Sequence, residues 1–163
     1  MDDAFDRALA FTLRWEGGYV NDPRDPGGET KYGISKRAYP HIDIKNLTKE
    51  QAAAIYRRDY WDAARCGKLP ERVAVAHFDC AVNCGVTAAN RMLQRAAGAK
   101  DDGVIGPATL QAVWDTPTTV ILCRMLTERL GHYLTIIGNN PTLAVFARGW
   151  WNRVAALAKE VGA

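Results

Sequence analysis

At 163 residues the chain is long enough for one domain with a single core, able to bury roughly 70% of the surface its unfolded form exposes without disulfides or metal. Apolar residues make up 48% and charged residues 24%, which excludes a disordered or fibrous chain. Lys and Arg number 21 against 18 Asp and Glu, and the resulting +3 is too small for the dense basic face of a dedicated nucleic-acid binder.

Asp2 or Asp3 is a good N-cap, and a first helix carries Phe5, Ala8, Leu9, Thr12 and Leu13 on one stripe before Gly17-Gly18 stops it. Residues 17–47 are rich in Gly, Pro, Asp and Asn, with Tyr19-Val20 and Tyr32-Gly33-Ile34 as short extended candidates. This predicts a small hairpin or a long ordered loop, and a loop of that length inside a domain is usually functional. Thr48-Lys49-Glu50-Gln51 is a capping box opening a helix to about Gly67. Pro70 begins a helix ending at Gly85 that is apolar on several faces, the pattern of a buried central helix. Thr87 is the expected cap of the next helix, which runs to Gly98; Asp102-Gly103 turns the chain, and Pro107 starts a short helix to about Trp114. A long helix is predicted from about Thr118 to Ile137, broken by Asn139-Asn140-Pro141, and a last one carries Phe146, Trp150, Trp151, Val154 and Leu157. Arg124, Glu128 and Arg129 interrupt the apolar run Val120 to Ile137, so it is no membrane span. The fold class expected is all-α, with a small β-hairpin or loop region near residues 17–47.

Cys66, Cys80, Cys84 and Cys123 show no disulfide-framework spacing and read as reduced thiols of a cytoplasmically made protein. No signal peptide is visible, since Asp2 and Asp3 are followed by Arg7 and Arg14. His77, Cys80 and Cys84 share one helix face, but that helix is otherwise apolar, so a buried structural trio is expected rather than a zinc site.

Glu16 ends the core-facing stripe of the first helix, close in angle to Phe5, Leu9 and Thr12. Partial burial and the negative pole of the helix would both keep its carboxyl protonated, the state a general acid needs to cleave a glycosidic bond. The alternative is an ion pair with Arg14 or with an arginine from elsewhere in the fold. Asp22, Asp25 and Thr30 follow in a loop constrained by prolines and glycines, where a second carboxylate and a hydroxyl can orient water. Asp22 and Asp25 also suit Asx turns before proline. Tyr19, Tyr32, Tyr39, Tyr56, Tyr60 and Trp61 cluster in or just after the loop, where rings can stack on sugar faces or simply pack.

Glu16-Gly17-Gly18-Tyr19-Val20-Asn21-Asp22-Pro23 and Asp25-Pro26-Gly27-Gly28-Glu29-Thr30-Lys31-Tyr32-Gly33-Ile34-Ser35 resemble the opening of glycoside hydrolase family 108. These are N-acetylmuramidases found among phage endolysins and bacterial lysis or secretion-activator proteins. The resemblance continues through Tyr60-Trp61, Phe78-Asp79 and Val82-Asn83-Cys84-Gly85. Further on, Leu93-Gln94-Arg95, Asp102 to Pro107 and Gly149-Trp150 resemble the family's predicted peptidoglycan-binding region. It implies one lysozyme-like domain over 1–163, with a catalytic part at 1–85 and a helical C-terminal part at 86–163. It also implies Glu16 as general acid, with Asp25 and Thr30 catalytic and Asp22, Tyr32, Tyr60 and Asn83 against substrate. In related phage-type lysozymes eight residues separate Glu from Asp and five separate Asp from Thr; here eight lie between Glu16 and Asp25 but four between Asp25 and Thr30, which keeps Asp22 a rival second acid.

The implied reaction is hydrolysis of the β-1,4 bond between N-acetylmuramic acid and N-acetylglucosamine, with glycan strands as partner and neither metal nor organic cofactor. A lytic transglycosylase using the same glutamate and a non-enzymatic wall-binding protein are the rival readings. A monomer is expected, accumulating in the host cytoplasm until a holin-type lesion admits it to the periplasm and wall. It would not insert in membranes; Trp150 and Trp151, flanked by Arg148 and Arg153, offer at most a weak envelope contact, with Trp150 expected in the core and Trp151 nearer the surface.

Overall fold

The helix predicted to be central is the axis around which the others pack: α3 (Glu71–Cys84) is buried continuously from Val73 to Ala81 and contacts α1 (Asp3–Leu13), α4 (Val86–Ala97), α6 (Thr118–Asn139) and α7 (Ala147–Val161). The computed structural model describes residues 3–21 and 28–163, so Asp22 and Asp25 lie outside the described residues. Within these, α2 (Lys49–Tyr56) and α5 (Pro107–Asp115) complete seven α-helices, and Thr30–Lys31 (β1) pairs antiparallel with Ile34–Ser35 (β2). The architecture is the mainly helical one expected, with its small hairpin, and among the described residues no helix is long and apolar enough to cross a membrane.

Capping chemistry explains several boundaries. The Thr48 hydroxyl accepts from the Gln51 N–H at 3.2 Å while the Gln51 side chain accepts from the Thr48 N–H at 2.9 Å, closing the predicted box at α2. Beyond Tyr56 the α-helix loosens into a π-helical turn, Arg57–Asp62, and a separate short 3-10 turn covers Cys66–Lys68, so the helix does not run unbroken to Gly67. Thr87 caps nothing: α4 starts at Val86, with Gly85 as its N-cap in a positive-φ conformation. Phe146 belongs to a 3-10 turn, Pro141–Phe146, rather than to the last helix.

Phe5, Trp61 and Phe78 meet edge to face at 5.4–5.9 Å, and Tyr56 joins Phe78 at 6.1 Å. This cluster ties α1 and the turn after α2 to α3, and it makes Trp61 a packing residue. On α1 the buried positions are Phe5, Ala8, Phe11 and Thr12; Leu9 and Leu13 are only half-buried. Arg7 pairs with Glu71 and Thr12 donates to Asp79, so α1 and α3 run parallel and their C-terminal ends, near Glu16 and Asn83, lie at the same end of the molecule.

Candidate active site

Glu16 is not in the last turn of α1. The helix ends at Leu13, and the chain continues through one further turn in which the Trp15 and Glu16 N–H groups both donate to the Thr12 carbonyl, at 2.9 and 3.3 Å. This places the half-buried carboxylate at the wall of a cavity of ≈ 610 Å³ lined among others by Leu9, Leu13, Gly17 and Tyr32. That volume lies inside the range of roughly 300–1,000 Å³ usual for small-molecule sites.

The carboxylate has an arginine partner, and it comes from the other end of the chain. Arg153 of α7 donates through one terminal nitrogen to Glu16 Oε1 at 2.9 Å, whereas Arg14 pairs with Glu160. The same guanidinium donates to Asp79 Oδ1 at 2.7 Å, and Arg129 of α6 donates to Asp79 Oδ2, also at 2.7 Å. Thr12 adds a third contact to Asp79 at 3.1 Å. Burial alone would push the Asp79 carboxyl up, but the two guanidinium groups outweigh it and hold the group below its ordinary range. Arg129 continues the network, donating through Nε to the Tyr133 hydroxyl at 2.7 Å, and that hydroxyl donates to Asn83 Oδ1 at 2.5 Å. Asn83 is therefore linked to Glu16 through four side chains, Arg153, Asp79, Arg129 and Tyr133, of three helices.

The hairpin closes the other side of the carboxylate. Its two-residue turn, Tyr32-Gly33, has φ of +52° and +74°, the pair of left-handed residues that a tight I′-type hairpin turn requires. Tyr32 carries this strain at the cavity wall, and its carbonyl is held by the Tyr56 hydroxyl at 2.8 Å. Gly33 has a second reason to be glycine: a Cβ there would stand 2.5 Å from the Tyr56 hydroxyl and 2.8 Å from Glu16 Oε2. Burial, with the nearby Glu16 charge second, pushes the Tyr56 phenol well up, so it stays a hydrogen-bond donor.

Among the residues expected at the site, the structure brings Glu16 and Tyr32 to one cavity. Tyr60 stands one ring behind, tilted against Tyr56 at 5.6 Å. Thr30 opens β1, bridged through its backbone to Val20, with its hydroxyl turned to the Gly28 carbonyl at 3.4 Å. Arg153, Asp79, Arg129 and Tyr133, which form the network behind Glu16, are the candidate site residues that sequence reasoning missed; the signal available was one carboxylate in the interior of an otherwise apolar helix. Arg153 is buried and does not flank an outward tryptophan pair: Trp150 is half-buried and stacks on Tyr133 at 4.7 Å, outside the main core, while Trp151 is exposed. His77 and Cys80 are engaged internally, by Asn90 at 3.0 Å and Met92 at 3.5 Å, and the described residues hold no group of three or more His, Cys, Asp or Glu placed to bind a metal.

The family model for glycosyl hydrolase 108 matches residues 9–85, and that for a predicted peptidoglycan domain matches residues 88–155. The chain belongs to glycosyl hydrolase family 108. Among solved structures, SagA of Brucella abortus is 34% identical and superposes with a TM-score of 0.84, the match covering 99% of this chain and 95% of that one. Nothing among curated protein sequences matches. As a family 108 protein the chain is a glycoside hydrolase acting on peptidoglycan, which replaces the non-enzymatic reading. In family terms, the Glu16 cavity and Asp79 fall in the hydrolase segment, and both arginines fall in the peptidoglycan segment.

Proposed function

We propose that this hydrolase is an N-acetylmuramidase of the endolysin kind, cutting the β-1,4 bond between N-acetylmuramic acid and N-acetylglucosamine with Glu16 as the general acid. The observation that carries the reading is a half-buried carboxylate fixed by Arg153 at the wall of a cavity of ≈ 610 Å³. Arg153 occupies Oε1, so Oε2 is the oxygen that delivers the proton to the leaving group. Gly33 lies against that oxygen, and any side chain there would crowd it. A carboxylate held in one rotamer contributes to catalysis because proton transfer demands placement within a few tenths of an ångström.

In this proposal Asp25, with Asp22 as its rival, supplies the second carboxylate, and Thr30 helps to orient water or to stabilise the oxocarbenium-like transition state. Tyr32 offers an aromatic face to the glycan at the cavity wall, while Tyr60, one ring behind, and Asn83, at the far end of the ionic network, would meet only parts of the strand that extend beyond the cavity. The segments 1–85 and 86–163 work as one monomeric unit, released to the wall through a holin-type lesion.

The test is a zymogram of the parent against Glu16→Gln, paired with mass spectrometry of the soluble products. Loss of clearing by more than about 100-fold in the variant, with free reducing N-acetylmuramic acid ends from the parent, is the expected result. Equal clearing by both proteins refutes Glu16 as the acid. Products ending in 1,6-anhydro sugars identify a lytic transglycosylase instead.

A further inference from the structure

The α4–α6 face carries a second polar groove that the Glu16 cavity does not account for. Two cavities of ≈ 580 and ≈ 440 Å³ share Arg95 and His132 and so adjoin. The first opens at Cys84-Gly85, immediately after Asn83 and therefore at the same end of the molecule as Glu16. Thr87, Arg91 and Arg95 stand four residues apart on α4 and so line up along one face, opposite His132 and Thr135 of α6.

The two arginines differ in state. Arg95 is clamped by Glu128 at 2.6 Å and Asp101 at 3.1 Å, so its charge is largely answered within the protein. Arg91 is exposed, and among the described residues no carboxylate pairs with it. Burial, together with Arg95 and Arg129, pushes the His132 imidazole down, so it is a neutral hydrogen-bonding group at neutral pH. The Thr135 hydroxyl is spent on the Gly131 carbonyl at 3.0 Å. A guanidinium with no carboxylate partner among the described residues, the Thr87 hydroxyl and a neutral imidazole form a recognition set for a carboxylate-bearing peptide rather than for an apolar surface. Apart from Cys84 to Thr87, the residues lining the groove lie within the segment matched by the predicted peptidoglycan domain. In peptidoglycan the groups that project from the glycan are short peptides with free carboxylates, attached to the muramic acid units.

We infer that the α4–α6 groove binds the acidic peptide stem of peptidoglycan, Arg91 pairing with a stem carboxylate while the glycan lies in the Glu16 cavity. The inference rests on the glycan-cleavage reading for its biological sense, but the stem site can be tested without turnover. The parent and Arg91→Ala are titrated by NMR with a synthetic alanyl-glutamyl stem tripeptide carrying free carboxylates and with the same peptide amidated. The expected result is binding of the acid form by the parent, with shifts at Thr87, Arg91 and His132, and about tenfold weaker binding on either amidation or substitution. Equal binding of acid and amide, or an Arg91→Ala variant indistinguishable from the parent, overturns the assignment.

A kinetic arm uses intact sacculi and sacculi stripped of stems by an amidase. Arg91→Ala raises KM about tenfold on the intact polymer and leaves both constants unchanged on the stripped one. An equal loss on both substrates overturns the stem assignment. A parent that binds the tripeptide and cleaves neither polymer removes the glycan-cleavage reading while leaving the stem site in place.

Discussion

Gly33→Ala is the sharpest probe of the site because its two consequences can be separated by a matched control. The native φ of +74° costs any L-residue about 1 kcal/mol relative to glycine. At Gly98, the left-handed end of α4, φ is +70° and nothing lies within 4 Å of an added Cβ, so Gly98→Ala reports that backbone cost alone. At Gly33 the added carbon also stands 2.5 Å from the Tyr56 hydroxyl and 2.8 Å from Glu16 Oε2, well inside van der Waals contact. Tyr56 is buried and bonded to the Tyr32 carbonyl, so it cannot give way; the half-buried Glu16 side chain must. Overpacking of this kind adds about 1–2 kcal/mol. Urea titration should therefore show Gly33→Ala destabilised by about 2–3 kcal/mol and Gly98→Ala by about 1. Turbidity loss of a sacculus suspension should fall about 100-fold for the first variant and stay near the parent for the second. A folded Gly33→Ala protein within threefold of parental activity would show that the Glu16 carboxylate is not held where it is needed.

Two further outcomes follow from buried charges. Arg153→Met leaves Asp79 with Arg129 and Thr12 and frees Glu16, so it should cost about 3 kcal/mol in urea unfolding and lower kcat rather than raise KM; adding Asp79→Asn should recover more than about 1 kcal/mol, and additive losses would refute the coupling. Complete burial pushes the His77 imidazole down to about 4, below its usual value near 6.5, so the unfolded chain takes up the proton first as pH falls. Stability present above about pH 6.5 should then decline by about 2 kcal/mol between pH 7 and 5, and His77→Gln should flatten that slope; an unchanged slope in the variant would assign the decline elsewhere.

What could be read from the chain and what could not divide along a physical line. Thr48 to Gln51, Pro107 and the Gly98 stop are local chemistry, and they mark the ends of α2, α4 and α5 to within a residue or two. Glu16 was legible as an acid out of place on a half-apolar stripe, and Tyr32 through its place in the glycine-rich loop. Arg153 was not. Its neighbours Trp150 and Trp151 suggest an outward amphipathic face, and only the folded chain shows that its guanidinium turns inward to a carboxylate 74 residues earlier. Asp79 gave the converse signal: a charge inside an apolar helix has to be answered from another element, but nothing in α3 names Arg129 or Arg153 as the answer.

That ionic cluster also bears on why the hydrolase and peptidoglycan segments occur together. Asp79 is fully buried, and the charges that make its ionised state tolerable come from α6 and α7, beyond residue 86. Residues 1–85 alone would leave this carboxylate without either guanidinium, a buried charge that several kcal/mol of other interactions would have to offset. They would also leave Glu16 without the donor that fixes Oε1. The second segment thus completes the surroundings of Glu16, the proposed general acid, as well as carrying the match to the predicted peptidoglycan domain. Because Arg153 touches Asp79 and Glu16 with the same guanidinium, packing of the last helix against α3 and orientation of the proposed general acid are set by one side chain. A shift of α7 that loosened the Asp79 contact would move Glu16 with it.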